Sequence, residues 1–132
     1  MIDPLELRIN NLVTYKGENR FVIGISETGV IDLLKQDRSG VETVRNIEPI
    51  KISELLLKEA LFLPINVEST MYERKFGSEI EPHSLRISLK TGIVMFCDLN
   101  PFSENRIMIL YKPLEFFHQL QNLFYILSGV EL

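Results

Sequence analysis

Residues 12–45 read LVTYKGENRFVIGISETGVIDLLKQDRSGVETVR, and this stretch decides the predicted fold. Short apolar runs alternate with polar turns that contain Gly and Asn, which tolerate positive φ. In the second run, Phe21, Ile23 and Ile25 alternate with their neighbours at the period of two expected when one face of a strand is buried. The predicted strands cover residues 12–16, 21–26, 30–34 and 41–45. Short strands joined by tight turns favour a small curled sheet, and an SH3-like barrel is the candidate topology.

Downstream of this stretch, the sequence predicts a helix and then a second set of strands. Ser53 is a candidate N-cap for a helix over 54–62, with Leu55, Leu56 and Ala60 on its buried side. Pro64 is expected near the end of that helix. The strands that follow are predicted at 71–76, 84–90, 93–97 and 107–111, with a loop at 100–105.

The last predicted element is a helix. Pro113 fits its first turn, where a missing N–H costs nothing. Phe117, Leu120 and Phe124 recur at helical spacing and predict a buried face. Gly129 is a natural C-cap.

Together these elements predict an α+β fold with two lobes. Residues 1–52 are expected to form a β-rich, barrel-like lobe, and residues 53–132 a linking helix, an antiparallel sheet and a packed C-terminal helix. The alternative is that both lobes share one compact domain.

Composition limits the class of protein. The chain has 132 residues and a formal charge of -4, so it has no global attraction for nucleic acid or anionic membranes. Cys97 is the one cysteine, which rules out an intrachain disulfide. The sequence shows no signal peptide and no membrane-spanning run, and we therefore expect a cytoplasmic protein.

The residues that could carry chemistry do not form a recognisable set. His83 and Cys97 could ligate a metal, or Cys97 could act as a nucleophile, but a buried thiol in an apolar strand is usually inert. Glu79, Glu81 and Asp98 could pair for acid–base work, yet they fit a solvated loop equally well. No phosphate-binding loop is present in the sequence. We therefore expect no catalytic residues, no metal and no cofactor.

A group of basic residues around one aromatic supports an alternative function in the first lobe. Cations near an aromatic ring could contact a nucleic-acid backbone and stack a base, although acidic residues are interspersed with them. These residues are Tyr15, Lys16, Arg20, Lys35, Arg38 and Arg45.

A neutral polar stripe on the last helix supports a different function. His118, Gln121, Asn122 and Tyr125 fall at i, i+3, i+4 and i+7 and share one side of the helix. One interpretation is a polar outer face, or amides that hydrogen-bond neighbouring backbone. The other is a surface that contacts a protein partner or a second copy of the chain.

Three strings carry a resemblance to a known group of proteins. They are LRINNLV at 7–13, NIEPI at 46–50, and HQLQNLFY with LSGVEL at 118–132. They resemble the strings LRIGN, IEPIPL and HQLQNLYFALTGEEL of small uncharacterised proteins from gut anaerobic bacteria and their phages or other mobile elements. This chain departs from the pattern at Asn10 and Lys51. The resemblance implies a prophage or mobile-element setting and no particular activity.

The leading hypothesis is thus a non-enzymatic interaction or accessory protein. A nucleic-acid-binding module that uses the first lobe is the alternative, and an enzyme that uses His83, Asp98 or the loop at 100–105 is the third.

Overall fold

The chain forms two compact units in a computed structural model that describes residues 2–67, 69–100, 107–109 and 112–132. The first unit comprises the residues up to 51, together with 116–123 and 131. The second comprises 52–115, together with 124–130 and 132. Both sheets are antiparallel, so the α+β class predicted from the sequence is confirmed.

The first unit is built on a four-stranded antiparallel sheet. Its strands are β1 (Leu12–Tyr15), β2 (Glu18–Ile25), β3 (Ile31–Leu34) and β4 (Val41–Val44), in the order β1-β2-β3-β4. A short 3-10 helix, Pro4–Glu6, precedes them. Thr14 of β1 also forms an isolated bridge with Glu48. The described strands do not close into a barrel, and the SH3-like topology stays a prediction.

The core of this unit lies on the Val22 face of β2, so the expectation that Phe21, Ile23 and Ile25 form its buried face is wrong. Val22 is fully buried, whereas Phe21 is 41% exposed and Ile25 is 37% exposed. Val13 pairs with Arg20 across β1 and β2, which places Arg20 and Val22 on the side of the buried Val13. The remaining buried apolar residues of the cluster are Ile2, Ile31, Leu33, Val44 and Ile47.

The second unit combines a short helix with a five-stranded antiparallel sheet. The helix is α1 (Glu54–Glu59), and the strands are β5 (Leu63–Pro64), β6 (Met71–Gly77), β7 (Pro82–Ser88), β8 (Val94–Asp98) and β9 (Ile107–Ile109), in sequential order. Strand β5 was not predicted. Residues 101–105 of the predicted loop and residues 110 and 111 of the predicted last strand lie outside the described residues, as does residue 106.

Helix α1 is shorter than predicted, and of its three residues predicted to be buried, Leu56 and Ala60 are buried. Ser53 is its N-cap, as expected, and its side chain accepts a hydrogen bond from the Leu56 N–H. Leu56 and Leu57 are buried, whereas Leu55, predicted to be buried, is 66% exposed. The helix ends at Glu59 because the following residues turn into β5, so the prediction that it continues to residue 62 is wrong.

The last helix, α2 (Phe117–Ser128), begins later than predicted. Pro113 does not open it, because the Leu114 N–H donates to the Gly92 carbonyl and Phe116 bridges to Lys51. The predicted buried residues are confirmed: Phe117 is 5% exposed, and Leu120 and Phe124 are fully buried. Within the second unit, the Phe124 ring lies 5.9 Å from Phe62 and 5.3 Å from Phe76, edge to face.

Candidate functional site

Helix α1 ends in a Schellman motif in which a leucine occupies the position usually held by glycine. The Leu61 N–H donates to the Lys58 carbonyl (3.0 Å), and the Phe62 N–H donates to the Leu57 carbonyl (2.8 Å). Leu61 has a φ of 65°, in the left-handed region that costs an L residue roughly 1–2 kcal/mol. Its side chain is nevertheless 65% exposed. Core packing therefore does not account for a leucine at this position.

Leu61 is the first of three exposed aliphatic residues beside the edge of the second sheet. Leu61, Leu63 and Ile65 line one cavity and are 65%, 66% and 45% exposed. Single exposed leucines are ordinary, but several around one concavity form a contiguous apolar surface. Pro64 of β5 has no N–H and suits an edge strand.

We call this cavity the edge groove. Its volume is about 560 Å³, and it is lined by Leu61, Leu63, Pro64, Ile65, Glu73, Arg74, Lys75 and Arg86. The lining thus carries three cations and one carboxylate along one side and aliphatic groups along the other.

The charged side of the edge groove is held in place by internal contacts. The Arg86 Nε donates to Glu73 Oε2, and this contact raises the pKa of Arg86. The Arg74 Nη1 donates to the Ala60 carbonyl (3.0 Å), and its guanidinium lies 4.7 Å from the Phe124 ring centroid. Burial lowers the pKa of Arg74. Lys75 is exposed, and its charge is therefore the one most available to a ligand.

The predicted partner stripe of α2 is mostly occupied within the first unit. Gln121 is 1% exposed: its Oε1 accepts from the Leu12 N–H (2.8 Å), and its Nε2 donates to the Asn10 carbonyl (3.2 Å). Asn122 accepts from Asn11 Nδ2 (2.7 Å) and donates to the Glu6 carbonyl (2.9 Å). Gln121 thus binds two backbone groups, and Asn122 binds one backbone carbonyl and the Asn11 side chain, so these amides are engaged within the first unit.

The other two residues of the stripe, His118 and Tyr125, differ in their exposure to solvent. Tyr125 is 39% exposed, whereas His118 is 1% exposed and stacks on Phe116 with an interplanar angle of 12°. Neither ring nitrogen of His118 has a hydrogen-bond partner, and Nε2 lies 3.7 Å from Glu6 Oε2. Burial lowers the pKa of His118, and Glu6 partly offsets this effect. His118 is therefore neutral near pH 7.

An ion pair adds to the contacts that the stripe makes with the N-terminal segment. Arg8 donates to both carboxylate oxygens of Glu131, at 2.6 and 2.8 Å. The Arg8 Nε also donates to Asn122 Oδ1 (3.3 Å). These hydrogen bonds lower the pKa of Glu131. We call the contacts of Gln121, Asn122 and Glu131 with residues 6–12 the amide clamp.

Among the basic residues predicted to bind nucleic acid, Arg20 is buried. It is 7% exposed, and its Nε donates to the Leu34 carbonyl (2.8 Å). Its guanidinium lies 3.5 Å from Glu18 and 3.7 Å from Glu42. Two carboxylates thus face the Arg20 charge, which makes it a poor phosphate ligand.

The other members of that predicted set remain at the surface of the first unit. Lys16, Lys35, Arg38 and Arg45 are exposed, and the Lys16 Nζ lies 5.2 Å from the Tyr15 ring centroid. Binding of nucleic acid by these exposed residues stays a prediction.

The candidate catalytic residues lie on β7 and β8. His83 pairs with Asp98 across the two strands and stacks on Phe96, with ring centroids 5.2 Å apart. Cys97 pairs with Ser84, so it points to the opposite face of the sheet from His83 and Asp98, and it is 3% exposed. His83 and Cys97 therefore do not converge. Glu79 and Glu81 are exposed between β6 and β7.

Over 2–67, 69–100, 107–109 and 112–132, no group of three or more His, Cys, Asp and Glu is placed to hold a metal ion. Over the same ranges, no helix has the length and apolarity required to cross a bilayer.

Comparison of the chain with protein-family models, with curated proteins and with solved structures finds no match in any of the three.

Proposed function

We propose that the protein is a non-enzymatic interaction or accessory protein that binds a protein partner through the edge groove. The observation that carries this proposal is Leu61, a large aliphatic side chain held at a glycine position and left 65% exposed. Backbone strain that the core does not require is a reason to suspect a functional contact.

The energetics of the groove support partner binding. Moving a fully exposed leucine or isoleucine side chain out of water is favourable by about 1.5–3 kcal/mol. Leu61, Leu63 and Ile65 are each about half to two-thirds exposed, so a partner that covers them would gain much of this free energy at each residue. The cations beside them supply orientation, because charged groups at the rim of an interface steer encounter and fix register. Protein interfaces likewise combine buried apolar groups with polar and charged groups that stay near solvent.

Two finer proposals concern the topology of the first unit and the setting of the protein. An SH3-like arrangement of the first unit is supported by the bridge from Thr14 to Glu48, which gives β1 a second neighbour besides β2. A cytoplasmic, prophage or mobile-element setting is supported by the resemblance of the strings at 7–13, 46–50 and 118–132.

The test is affinity purification of the tagged protein from its native host, with two matched variants. Leu63→Asp places a charge in the groove, and Leu55→Asp places the same charge on α1, where the leucine is equally exposed at 66%. We expect a stoichiometric partner that the wild type and Leu55→Asp retain and Leu63→Asp loses. Circular dichroism of both variants establishes that each is folded.

The other results have distinct meanings. Equal recovery of the partner by Leu63→Asp would move the interface away from the groove. Nuclease-sensitive absorbance in place of a protein partner would favour the nucleic-acid alternative, with Lys16, Lys35, Arg38 and Arg45 as its surface. Recovery of neither would contradict an interaction function.

A further inference from the structure

Strand β6 has a neighbour along only part of one side. It pairs with β7 over all seven of its residues, from Met71 to Gly77. On the other side, β5 pairs only with Tyr72 and Glu73. The chain turns away at Leu61, where the left-handed backbone ends the extended run that would otherwise continue along β6. Among the described strands, the edge of β6 beyond Glu73 is therefore open on the side of the edge groove.

The direction of the backbone groups on this edge follows from two hydrogen bonds. The Ile65 N–H donates to the Met71 carbonyl, and the Leu89 N–H donates to the Thr70 carbonyl. Successive residues of a strand present their N–H and C=O groups to alternate sides. Met71, Glu73 and Lys75 thus present theirs toward β5, and Lys75 does so beyond the point where β5 ends.

The register also defines the side chains around this open edge. Leu63, Glu73 and Arg86 are partners in one row across β5, β6 and β7, so they share a face of the sheet. Lys75 lies two residues beyond Glu73 on that face. An added strand beside Lys75 would therefore place alternate side chains next to an aliphatic group and a cation.

The charged side chains of the edge groove indicate which kind of strand could pair beside Lys75. On the face that carries Leu63, the cations Lys75 and Arg86 outnumber the single carboxylate, Glu73, which Arg86 already contacts. A second copy that added its own β6 antiparallel to this edge, centred on Lys75, would place the two Lys75 charges opposite each other, which is unfavourable. A segment with acidic and aliphatic residues complements both sides of the groove.

We infer that the edge groove accepts an extended acidic and aliphatic segment of a protein partner as an added strand beside Lys75. The inference rests on the proposed function and names the chemistry of its partner. Strand addition of this kind takes affinity from main-chain hydrogen bonds and specificity from alternate side chains.

The test uses a short synthetic peptide in which valine and glutamate alternate, titrated into the intact protein. Two control peptides accompany it: one in which valine and lysine alternate, and one with the valine–glutamate sequence but methylated backbone nitrogens. Calorimetry measures affinity, and hydrogen exchange by NMR measures protection of the Lys75 amide. We expect binding of the first peptide only, with the Lys75 amide protected.

Matched variants separate the groove from general charge effects. Lys75→Glu should weaken binding by at least about tenfold, because it replaces attraction by repulsion at the pairing edge. Lys90→Glu, an exposed position in the turn after β7, makes the same change of net charge and should leave the affinity within about twofold.

Several results would overturn the inference. They are no binding of the valine–glutamate peptide, equal binding of either control peptide, or an unchanged affinity for Lys75→Glu. A dimer in sedimentation that Leu63→Asp dissociates would make a second copy the occupant instead. A host partner whose binding requires Leu63 but leaves the Lys75 amide unprotected would contradict strand addition beside Lys75 while agreeing with the proposed function. The absence of any Leu63-dependent partner would end the proposed function itself.

Discussion

The left-handed leucine at the end of α1 leads to a prediction about two pairs of substitutions. At Leu61, alanine and glycine both remove the exposed side chain, so the difference between the two variants reports the backbone alone. At Leu55, inside α1 and equally exposed, the same two substitutions report ordinary helical backbone.

The magnitudes follow from the backbone angle. A left-handed conformation costs an L residue roughly 1–2 kcal/mol, and glycine avoids this cost. Glycine also destabilises the folded state by about 0.5–1 kcal/mol relative to alanine, because the unfolded chain with glycine has more conformational freedom to lose. We therefore expect Leu61→Gly to be more stable than Leu61→Ala by about 1 kcal/mol. At Leu55 the order reverses, and glycine should be less stable than alanine by about 0.5–1 kcal/mol.

Urea unfolding of the four variants, followed by circular dichroism, gives the free energies of unfolding. Equal slopes against urea would show that the variants unfold from comparable states. The reasoning is refuted if Leu61→Ala is as stable as Leu61→Gly, because the left-handed backbone would then carry no cost for an L residue.

Three further outcomes concern the buried residues of α2. Gln121→Ala should cost about 2 kcal/mol, because the Leu12 N–H and the Asn10 carbonyl lose their partner, and a loss below about 0.5 kcal/mol in urea unfolding would contradict that role. Phe124→Ala should lower the free energy of unfolding by about 3–5 kcal/mol, because the ring is fully buried. Ile126→Ala, at a position 78% exposed, should change it by no more than about 0.5 kcal/mol. Similar melting curves for the two variants would contradict the packing of Phe124. Burial lowers the pKa of His118, so the unfolded chain binds the extra proton more readily, and stability should fall as the pH drops below the ordinary histidine pKa of about 6.5. His118→Phe should flatten that fall between about pH 7 and pH 5.5, and parallel pH profiles of wild type and variant would disprove it.

The regular parts of the fold were predictable because their signals are local. The spacing of Phe117, Leu120 and Phe124 predicted a helix face that is buried in the structure. Short strands between Gly and Asn turns were placed within a few residues for the same reason. The α+β class follows directly from these local patterns.

The contacts of the predicted partner stripe on α2 are not local. The spacing of Gln121 and Asn122 indicates polar contacts but does not name the acceptor, and the partner of Gln121 on β1 is 109 residues away. The sequence around Leu61 does not indicate a helix C-cap, because the glycine that usually marks one is absent there. Pro64 was the one available clue, since it favours an extended segment over a helix.

The amide clamp has a consequence for the order in which the chain acquires structure during synthesis. The strands of the first unit leave the ribosome early, but the backbone groups of Asn10 and Leu12 receive their partners only when Gln121 has been made. Until then, the lobe that is translated first lacks the helix segment that completes it, while most of the second unit's sheet can already pair. The N-terminal half of the sequence is therefore among the last parts of the protein to reach its final stability, and truncations before residue 123 should expose it to proteolysis.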